Sequence, residues 1–460
     1  MLASIAALNP AVGGEGDTIM HFFWANQALD SADALFRSWA KPFFTLFAAP
    51  WTLFGFSGIK IFNILCGTAA SYFSCRIAID RNWPNYWLVP LIAFSGPAFI
   101  SYLNTGLTEP FGALVLISGI YFLNKGGKWN LVFAYSLLSF LPFCRSEAQV
   151  LLPVFALYGV LNKQLKYIGL LALGTLFYSI VGGFFREDFF WVFSSPYVGG
   201  ASVYGQGKWS HYLERLNIML SLPINLAFLI GFIATIVSSF KHKSFWRQEF
   251  LLIALVPSIF ILAHSVVWTL GIYASAGLER VLIMVFPLIW LLALYGLNTL
   301  GQWIKRPYSS LAISLFLLSS WYSNYDRKED FKHYFKQAYQ IGPYQTLLTN
   351  EIYPFIQAEF PNYQNLQLVS DLPYLSILSG HNPLNLKEQV NWQRVDKAIY
   401  HQIEADAIFI WDSHNVPFYT GVDESFLKEL SWLEPLKEWE MGGRKYIVLR
   451  ANTEFPSSKP

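Results

Sequence analysis

A small set of carboxylates and arginines, set among long apolar segments, has the residue types needed for sugar-phosphate chemistry. A carboxylate can take a proton from a hydroxyl group. An arginine can hold a phosphate through two parallel hydrogen bonds. Together these groups suit the transfer of a phosphoryl-linked sugar or lipid. Charged residues also occur at loop ends for a simpler reason, because water solvates them there. The residues concerned are Glu15, Asp17, His21, Glu109, Arg145, Glu147 and Arg280.

The composition indicates which elements must position these residues. Of the 460 residues, 54% are hydrophobic and 13% are charged, whereas a soluble domain carries about 25% charged residues. This balance argues against a soluble enzyme and against a disordered chain. The net charge of +2 provides no basic field for nucleic acid. Three cysteines, none in a CxxC pair, cannot form a disulfide framework.

The charge distribution divides the chain into two predicted domains. Residues 1–322 hold 19 Lys/Arg and 12 Asp/Glu, whereas residues 323–460 hold 13 Lys/Arg and 18 Asp/Glu. We therefore predict an α-helical polytopic membrane domain over 1–322 and a small soluble α/β domain over 323–460. About ten apolar segments are expected to form the membrane domain. They are Ser57–Cys75, Tyr86–Leu103, Pro110–Leu123, Trp129–Phe143, Ala148–Leu161, Tyr167–Phe184, Leu220–Phe240, Phe250–Thr269, Val281–Leu300 and Ser309–Tyr322.

The loops between these segments predict an orientation. Every second loop is basic, with eleven Lys/Arg against Asp80 and Glu249, and such loops lie in the cytoplasm under the positive-inside rule. The chemistry-bearing residues and the C-terminal domain then lie on the outer face. Residues 1–12 are too short to span a bilayer. We expect either a first span upstream of an internal start, which we favour, or a segment that lies in the membrane interface. Apolar residues from Phe22 to Phe36 recur at helical spacing and predict an amphipathic surface helix.

The C-terminal domain shows short apolar runs typical of buried strands at Leu366–Ser370, Ala407–Trp411 and Tyr446–Leu449. Helices are predicted at Lys328–Tyr339 and Glu388–Ala405. Asp371 and Asp412 directly follow two of the strands. They are expected to cap helices or strand-end turns rather than bind a ligand.

The order of the motifs resembles that of GT-C glycosyltransferases, polytopic enzymes of which many use polyprenyl-phosphate sugars. The resemblance covers most of residues 13–322 as a pattern, and no single motif is very specific. The segments that carry it are Gly14–Phe22, Ser38–Pro42, Leu107–Pro110, Arg145–Ala148 and Ala276–Arg280.

The resemblance implies a mechanism with an acidic general base in the first outer loop. Asp17 occupies the matching place, and Glu15 is the second candidate. The base would deprotonate an acceptor hydroxyl, which attacks the anomeric carbon of the sugar with inversion. The residues themselves also allow Asp17 to be the N-cap of the following helix. His21 lies four residues after Asp17 and can share its helix face, either holding the acid or an acceptor group or simply lying at the interface.

The departing polyprenyl phosphate needs cationic stabilisation, for which Arg145 and Arg280 are the candidates. Each can instead be an arginine that extends to the membrane interface. Glu147 can pair with Arg145, and Glu109 can bind sugar hydroxyls or a metal, so a divalent cation is left open although no metal-binding spacing is present. His264, inside a span near its outer end, is expected to be a satisfied buried histidine.

The long loop Arg186–Asn217 is rich in glycine and aromatic residues and reads as a lid over a sugar or lipid, or as a disordered connector. The function expected from the chain as a whole is transfer of a sugar such as mannose to a glycan, lipid or protein acceptor. Two alternatives remain, a lipid or sugar transporter or flippase and a non-catalytic assembly protein. The expected location is the bacterial inner membrane with the C-terminal domain in the periplasm, or the endoplasmic reticulum membrane with that domain in the lumen.

Overall fold

A computed structural model provides the fold of the chain. It describes residues 12–13, 15–193, 201–202, 204–241, 246–303, 315–316, 319, 334, 341–392 and 403–452. The chain forms two compact units. One holds the described residues between Ala25 and Ala338, and the other holds those of Pro10–Trp24 and Tyr339–Pro460.

Helices are the main element of the first unit among its described residues. Four of its helices are long and apolar enough to cross a membrane, namely Leu165–Arg186, Leu222–Lys241, Gln248–Leu270 and Glu279–Gly301, and Ser146–Leu161 is a shorter apolar helix. The α-helical segments are Pro42–Thr52, Gly55–Asp80, Leu88–Ala93, Pro97–Leu103, Glu109–Lys125, Lys128–Leu138, Leu141–Cys144, Leu152–Leu161, Leu165–Ile168, Leu173–Arg186, His211–Met219, Leu222–Lys241, Val256–Leu270 and Phe286–Trp303. Tighter 3-10 turns occupy Ala32–Phe36, Ser146–Leu151, Gly169–Ala172, Trp191–Phe193 and Glu279–Val285, and a wider π-helix occupies Trp246–Leu255.

The polytopic helical fold predicted from the sequence is confirmed, with differences inside two segments. The segment Tyr86–Leu103 is split because Pro97 disfavours a helical conformation for Gly96, whose ψ is 123°. The segment Trp129–Phe143 is split into Lys128–Leu138 and a short turn that starts one residue before Pro142. The predicted span Ser309–Tyr322 lies almost wholly outside the described residues.

The amphipathic helix predicted over Phe22–Phe36 is wrong in its bounds. The helix runs from Glu15 to Gln27, and a separate 3-10 turn covers Ala32–Phe36. Between them Ser31 has an extended backbone (φ −137°, ψ 119°). The Asp-Ser-Ala-Asp run that begins at Asp30 favours such a turn because these short polar side chains compete for backbone hydrogen bonds.

The C-terminal part of the second unit holds a five-stranded sheet of order β2-β1-β3-β5-β4. Its strands are β1 (Leu368–Ser370), β2 (Gln389–Val390), β3 (Ile408–Asp412), β4 (Leu433–Met441) and β5 (Arg444–Ala451). β1 runs parallel to β2 and β3, and β5 runs antiparallel to β3 and β4. Helical segments around the sheet are Pro343–Leu347, Leu348–Ile352, Tyr353–Glu359, Tyr363–Asn365, Pro373–Ser379, Asn415–Thr420 and Glu424–Glu429.

The sheet confirms the predicted small α/β domain, whose three predicted strands are β1, β3 and β5. The other two strands, β2 and β4, were not predicted because neither contains a short apolar run. β2 is only two residues long and replaces the start of the helix predicted over Glu388–Ala405, which is wrong there. β4 alternates buried and charged residues and contains Pro435, so it lacks an apolar run. The predicted helix Lys328–Tyr339 lies outside the described residues apart from Tyr334.

The carboxyl groups of Asp371 and Asp412 are tied to the backbone at the ends of β1 and β3. Asp412 Oδ1 accepts hydrogen bonds from the backbone N–H groups of His414 (3.0 Å) and Asn415 (2.7 Å), at the start of the helix Asn415–Thr420. Asp371 Oδ2 accepts one from the Trp392 N–H at 3.2 Å. Burial raises the pKa of Asp371 to about 7 and also raises that of Asp412. The strand-end role predicted for both residues agrees with these bonds.

Candidate functional site

The site begins at Glu109, the first residue of the helix Glu109–Lys125. Pro110 follows it, and proline is favoured in a first turn, where its missing N–H costs no hydrogen bond. The positive end of the helix dipole favours a carboxylate at this position. Glu109 is only 1% exposed, so its charge needs partners within the protein.

Arg145 supplies one of these partners. It lies in extended backbone (φ −150°, ψ 119°) between the turn Leu141–Cys144 and the 3-10 turn Ser146–Leu151. Its Nη1 donates to Glu109 Oε1 at 3.0 Å, and its Nη2 donates to Glu147 Oε1 at 2.6 Å. One guanidinium group therefore joins two carboxylates that are far apart in sequence.

Arg280 supplies the second partner of Glu109. It is the second residue of Glu279–Val285, which packs against the helix Glu109–Lys125. Its Nε lies 3.3 Å from Glu109 Oε1, the same oxygen that Arg145 contacts. Glu109 is thus shared between two guanidinium groups. Four of the five substrate-binding candidates, Glu109, Arg145, Glu147 and Arg280, form one connected group, and His21 is not part of it.

Lys41, within the segment Ser38–Pro42, adds a third cation for which the sequence predicts no role. Its Nζ donates to Ser146 Oγ at 2.8 Å, and its ammonium interacts electrostatically with Glu147. Its backbone is left-handed (φ 58°) at the start of Pro42–Thr52, a conformation that costs energy for a non-glycine residue. A lysine directly before a proline-initiated apolar helix was the available signal. We name these five residues, Lys41, Glu109, Arg145, Glu147 and Arg280, the Glu109 cluster.

The Glu109 cluster contains three cations and two carboxylates, yet some of its acceptors are unused. Among the described residues, neither Glu109 Oε2 nor Glu147 Oε2 has a hydrogen-bond partner, and both oxygens are shielded from solvent. Leaving a buried acceptor unpaired costs about 1–3 kcal/mol. The cluster therefore has a surplus of positive charge together with free places for hydrogen-bond donors.

His264 lies beside this cluster on the helix Val256–Leu270, which packs against both Ser146–Leu151 and Glu279–Val285. Its ring contacts those of Phe260 and Tyr212, with centroids at 4.6 Å and 5.4 Å. The histidine is buried as expected, but its Nε2 has no hydrogen-bond partner within the part of the chain that the structure describes. The prediction that its hydrogen bonds are satisfied is wrong for this nitrogen.

The described part of the loop Arg186–Asn217 is hydrogen-bonded to the segment that precedes Arg280. The Ser202 N–H donates to Gly271 O at 2.7 Å, the Gly207 N–H donates to Trp268 O at 3.2 Å, and His211 Nε2 lies 2.7 Å from Gly277 O. Gly207 is required there because a Cβ atom would lie 2.0 Å from Trp268 Nε1. Residues 194–200 and 203 of this predicted lid lie outside the described residues.

One helix, Glu15–Gln27, carries the candidates Glu15, Asp17 and His21. All three residues belong to the second unit. Asp17 is the third residue of that helix and half-buried, so it lies inside the first turn rather than at the N-cap. His21 follows one turn later, as predicted, and is buried. Val12, ahead of the helix, accepts a hydrogen bond from Gln345 Nε2 at 3.0 Å.

No metal centre emerges from the described residues, which contain no group of three or more His, Cys, Asp or Glu side chains arranged to hold an ion. The free cysteines Cys66, Cys75 and Cys144 form no disulfide with one another.

Comparison with known proteins gives a result at the level of the fold. No family model matches the sequence, and no curated protein matches it. Two solved structures of ArnT from Cupriavidus metallidurans do match, one bound to undecaprenyl phosphate and one in the apo state. Each superposes with a TM-score of 0.63 over 97% of this chain and 96% or 95% of ArnT, at 12% or 13% identity. ArnT is a GT-C glycosyltransferase, so the GT-C fold suggested by the sequence is confirmed.

Proposed function

We propose that this integral membrane protein is a glycosyltransferase that moves one sugar from a polyprenyl-phosphate carrier to an acceptor. The observation that carries the proposal is the Glu109 cluster, in which two arginines from distant segments share one buried carboxylate. The likeness to ArnT with bound undecaprenyl phosphate supports the choice of carrier.

The cations of the cluster are proposed to bind the phosphate of the donor. A phosphate that becomes a leaving group gains charge as its bond to the sugar breaks, and guanidinium groups stabilise that charge. Arg145 and Arg280 are held in place before the substrate arrives because Glu109 contacts both. Lys41 adds a compact point charge beside them.

The unused carboxylate oxygens of Glu109 and Glu147 are proposed to accept hydrogen bonds from the sugar. Each can only accept when ionised, and sugar hydroxyls are donors. Mannose or another hexose is the first donor sugar to test. A glycan, a lipid or a protein can supply the acceptor hydroxyl.

Asp17 is proposed as the general base, with Glu15 as the second candidate, on the strength of its place in the sequence. It takes the proton of the acceptor hydroxyl while that oxygen attacks the anomeric carbon. The bond between the anomeric carbon and the phosphate oxygen breaks, and the electron pair leaves with polyprenyl phosphate. The configuration at the anomeric carbon is inverted because attack and departure occur on opposite faces. His21, one helical turn from Asp17, is proposed to hold the carboxyl group or the acceptor.

The reaction is proposed to take place on the outer face of a bacterial inner membrane, where the positive-inside rule also places the C-terminal domain. The lumenal face of the endoplasmic reticulum is the alternative setting. This orientation is tested by cysteine labelling. Single cysteines are introduced into a variant that lacks the three native cysteines, and a membrane-impermeant reagent then shows which of them face outside. A cysteine at exposed Lys428 is expected to react from outside, and one at exposed Lys163 only after the membrane is opened.

The proposed activity is tested by incubating purified protein with a panel of polyprenyl-phosphate hexoses and membrane glycolipids. The readout is the release of free polyprenyl phosphate. The Asp17→Asn variant is expected to lose about 100- to 10,000-fold in turnover, as removal of a general base does, while donor binding is retained. Glu15→Gln is the matched variant two residues away and is expected to keep its activity.

Each outcome bears on the proposal. Release by wild type and loss only in Asp17→Asn supports both the transferase and the base. Loss only in Glu15→Gln keeps the transferase and moves the base to Glu15. Absence of release with every donor contradicts the transferase and favours a transporter or an assembly protein.

A further inference from the structure

His264 is a buried imidazole whose ring is packed but whose Nε2 has no hydrogen-bond partner among the described residues. Its exposed fraction is 7%. Edge contacts with Phe260 and a tilted contact with Tyr212 fix the ring position. An imidazole nitrogen left in this state costs free energy unless a ligand completes the hydrogen bond.

The position of His264 connects this nitrogen to the Glu109 cluster. Its helix packs on the turn that carries Glu147 and on the turn that carries Arg280. The imidazole interacts electrostatically with Glu147, Arg145 and Glu109. His264 is therefore on the same side of the unit as the two unused carboxylate oxygens of Glu109 and Glu147.

These three unpaired buried atoms have a common chemistry. Two are carboxylate oxygens that need donors, and the third is an imidazole nitrogen that donates or accepts according to its tautomer. A phosphate offers acceptor oxygens and suits the arginines, but it cannot donate to a carboxylate when it is fully ionised. Neighbouring hydroxyl groups on one ring satisfy all three atoms, because each hydroxyl both donates and accepts.

We propose that His264 is a specificity-determining residue, whose Nε2 binds one hydroxyl group of the transferred sugar. This inference rests on the proposed function and extends it, because it separates recognition of the sugar from recognition of the lipid phosphate. The arginines and Lys41 hold the phosphate. His264, with Glu109 and Glu147, reads the hydroxyl pattern of the sugar.

The test measures binding, so it does not depend on finding the acceptor. Affinity of the detergent-solubilised protein is measured for undecaprenyl phosphate and for the same lipid carrying a hexose. His264→Phe keeps an aromatic ring against Phe260 and Tyr212 but removes the nitrogen. We expect this substitution to weaken the affinity for the glycosylated lipid about 5- to 10-fold, as loss of one hydrogen bond does. The affinity for undecaprenyl phosphate should change by no more than about twofold.

Two further variants distinguish this role from a structural one. His264→Gln places an amide nitrogen near the position of Nε2 and is expected to restore part of the affinity for the glycosylated lipid. Ser265→Ala removes a buried hydroxyl from the next position of the same helix and is expected to change neither affinity. Donors that lack one hydroxyl group identify the contact, because the effect of His264→Phe disappears for the donor that lacks the bound hydroxyl.

If His264→Phe weakens the affinity for both lipids equally, the inference is overturned, since the histidine then acts on the phosphate site or on folding. An unchanged affinity for both lipids overturns it as well. If wild type binds neither lipid, the proposed function itself fails. These three patterns are distinct, so the failure of the inference is distinguishable from failure of the function.

Discussion

Two ion clusters in the helical unit have the same formal charge and differ in the atoms that they leave unpaired. The Glu109 cluster holds three cations and two carboxylates. At the other end of the helix Glu109–Lys125, about 24 Å away by helix rise, lies a second group that we name the Arg81 cluster. Its members are Arg76, Asp80, Arg81, Lys125 and Glu249.

The Arg81 cluster pairs its charges within the protein. Arg81 forms an ion pair with Glu249, and its Nη2 donates to Asn124 Oδ1 at 3.0 Å. Lys125 Nζ lies 2.8 Å from Asp80 Oδ2. Among the described residues, the buried atoms of this region without a hydrogen bond are nitrogens of Arg76, Arg81 and Asn124, and none is a carboxylate oxygen.

The Glu109 cluster shows the opposite pattern, since its two carboxylates each retain an unused buried oxygen. Net charge therefore does not distinguish the two clusters. The difference lies in the unpaired acceptors, which require donor groups such as the hydroxyls of a sugar. We expect the two clusters to respond differently to the same kinds of substitution.

The largest difference is expected for lipid binding. Arg280→Met removes a guanidinium group that is proposed to contact the phosphate, and affinity for undecaprenyl phosphate should fall about 10- to 100-fold, as for loss of a charge-assisted hydrogen bond. In the matched variant Arg81→Met/Glu249→Met, both partners of the buried ion pair become apolar, which is often neutral for stability. Its affinity should equal that of wild type. A similar loss of affinity in both variants would remove the distinction between the clusters.

A smaller difference is expected in thermal stability. Glu109→Gln and Glu249→Gln each leave buried cations without their carboxylate, which destabilises by about 3 kcal/mol. Bound undecaprenyl phosphate should restore the Tm of Glu109→Gln, because its phosphate takes over the neutralising role beside Arg145 and Arg280. The same lipid should not raise the Tm of Glu249→Gln beyond the shift seen in wild type. The measurement is thermal unfolding of both variants with and without the lipid. Recovery of the Tm in both variants would contradict the predicted difference between the clusters.

The acidic residues Asp371 and Asp412 at the sheet sharpen the comparison because burial raises the pKa of their carboxyl groups. Asp412 Oδ2 also lacks a hydrogen-bond partner among the described residues, yet burial raises the pKa of both carboxyl groups. The folded state then holds the Asp371 proton more tightly than the unfolded state does. Stability of the sheet should therefore fall as the pH rises from about 4 to about 7, by about 3 kcal/mol for the shift of Asp371.

The Asp371→Asn variant should flatten this pH dependence, because it cannot ionise and can still accept from the Trp392 N–H. Hydrogen exchange of β1 and β3 in the full chain, corrected for the intrinsic effect of pH, measures the local stability. The same slope in wild type and variant would show that Asp371 does not titrate in this range.

Much of this molecule follows from the sequence because apolar length and loop charge are local properties. The helical membrane domain, the C-terminal sheet and the candidates Glu109, Arg145, Glu147 and Arg280 were all found in this way. That these four touch could not be read from the chain, because the contact joins the starts of three separate helical segments. Order along the sequence indicated only that they belong near one membrane boundary.

Features set by tertiary context escaped prediction. The short strand β2 forms because it pairs with β1. Two residues are too few to show a strand pattern in the sequence. Lys41 stood in a quoted motif, but its contact with Ser146 depends on how two helical segments pack. The unpaired nitrogen of His264 is likewise invisible in a sequence, which cannot show that a hydrogen bond is missing. The roles of all the candidate site residues, including Asp17, Glu15 and His21, remain predictions.

The most direct test of the central claim is an electron cryomicroscopy structure of the protein with undecaprenyl phosphate. The account predicts phosphate density within hydrogen-bond distance of Arg145 or Arg280, with Lys41 nearby and none at the Arg81 cluster. Phosphate density at the Arg81 cluster, or a bound lipid whose phosphate contacts neither Arg145 nor Arg280, would contradict it.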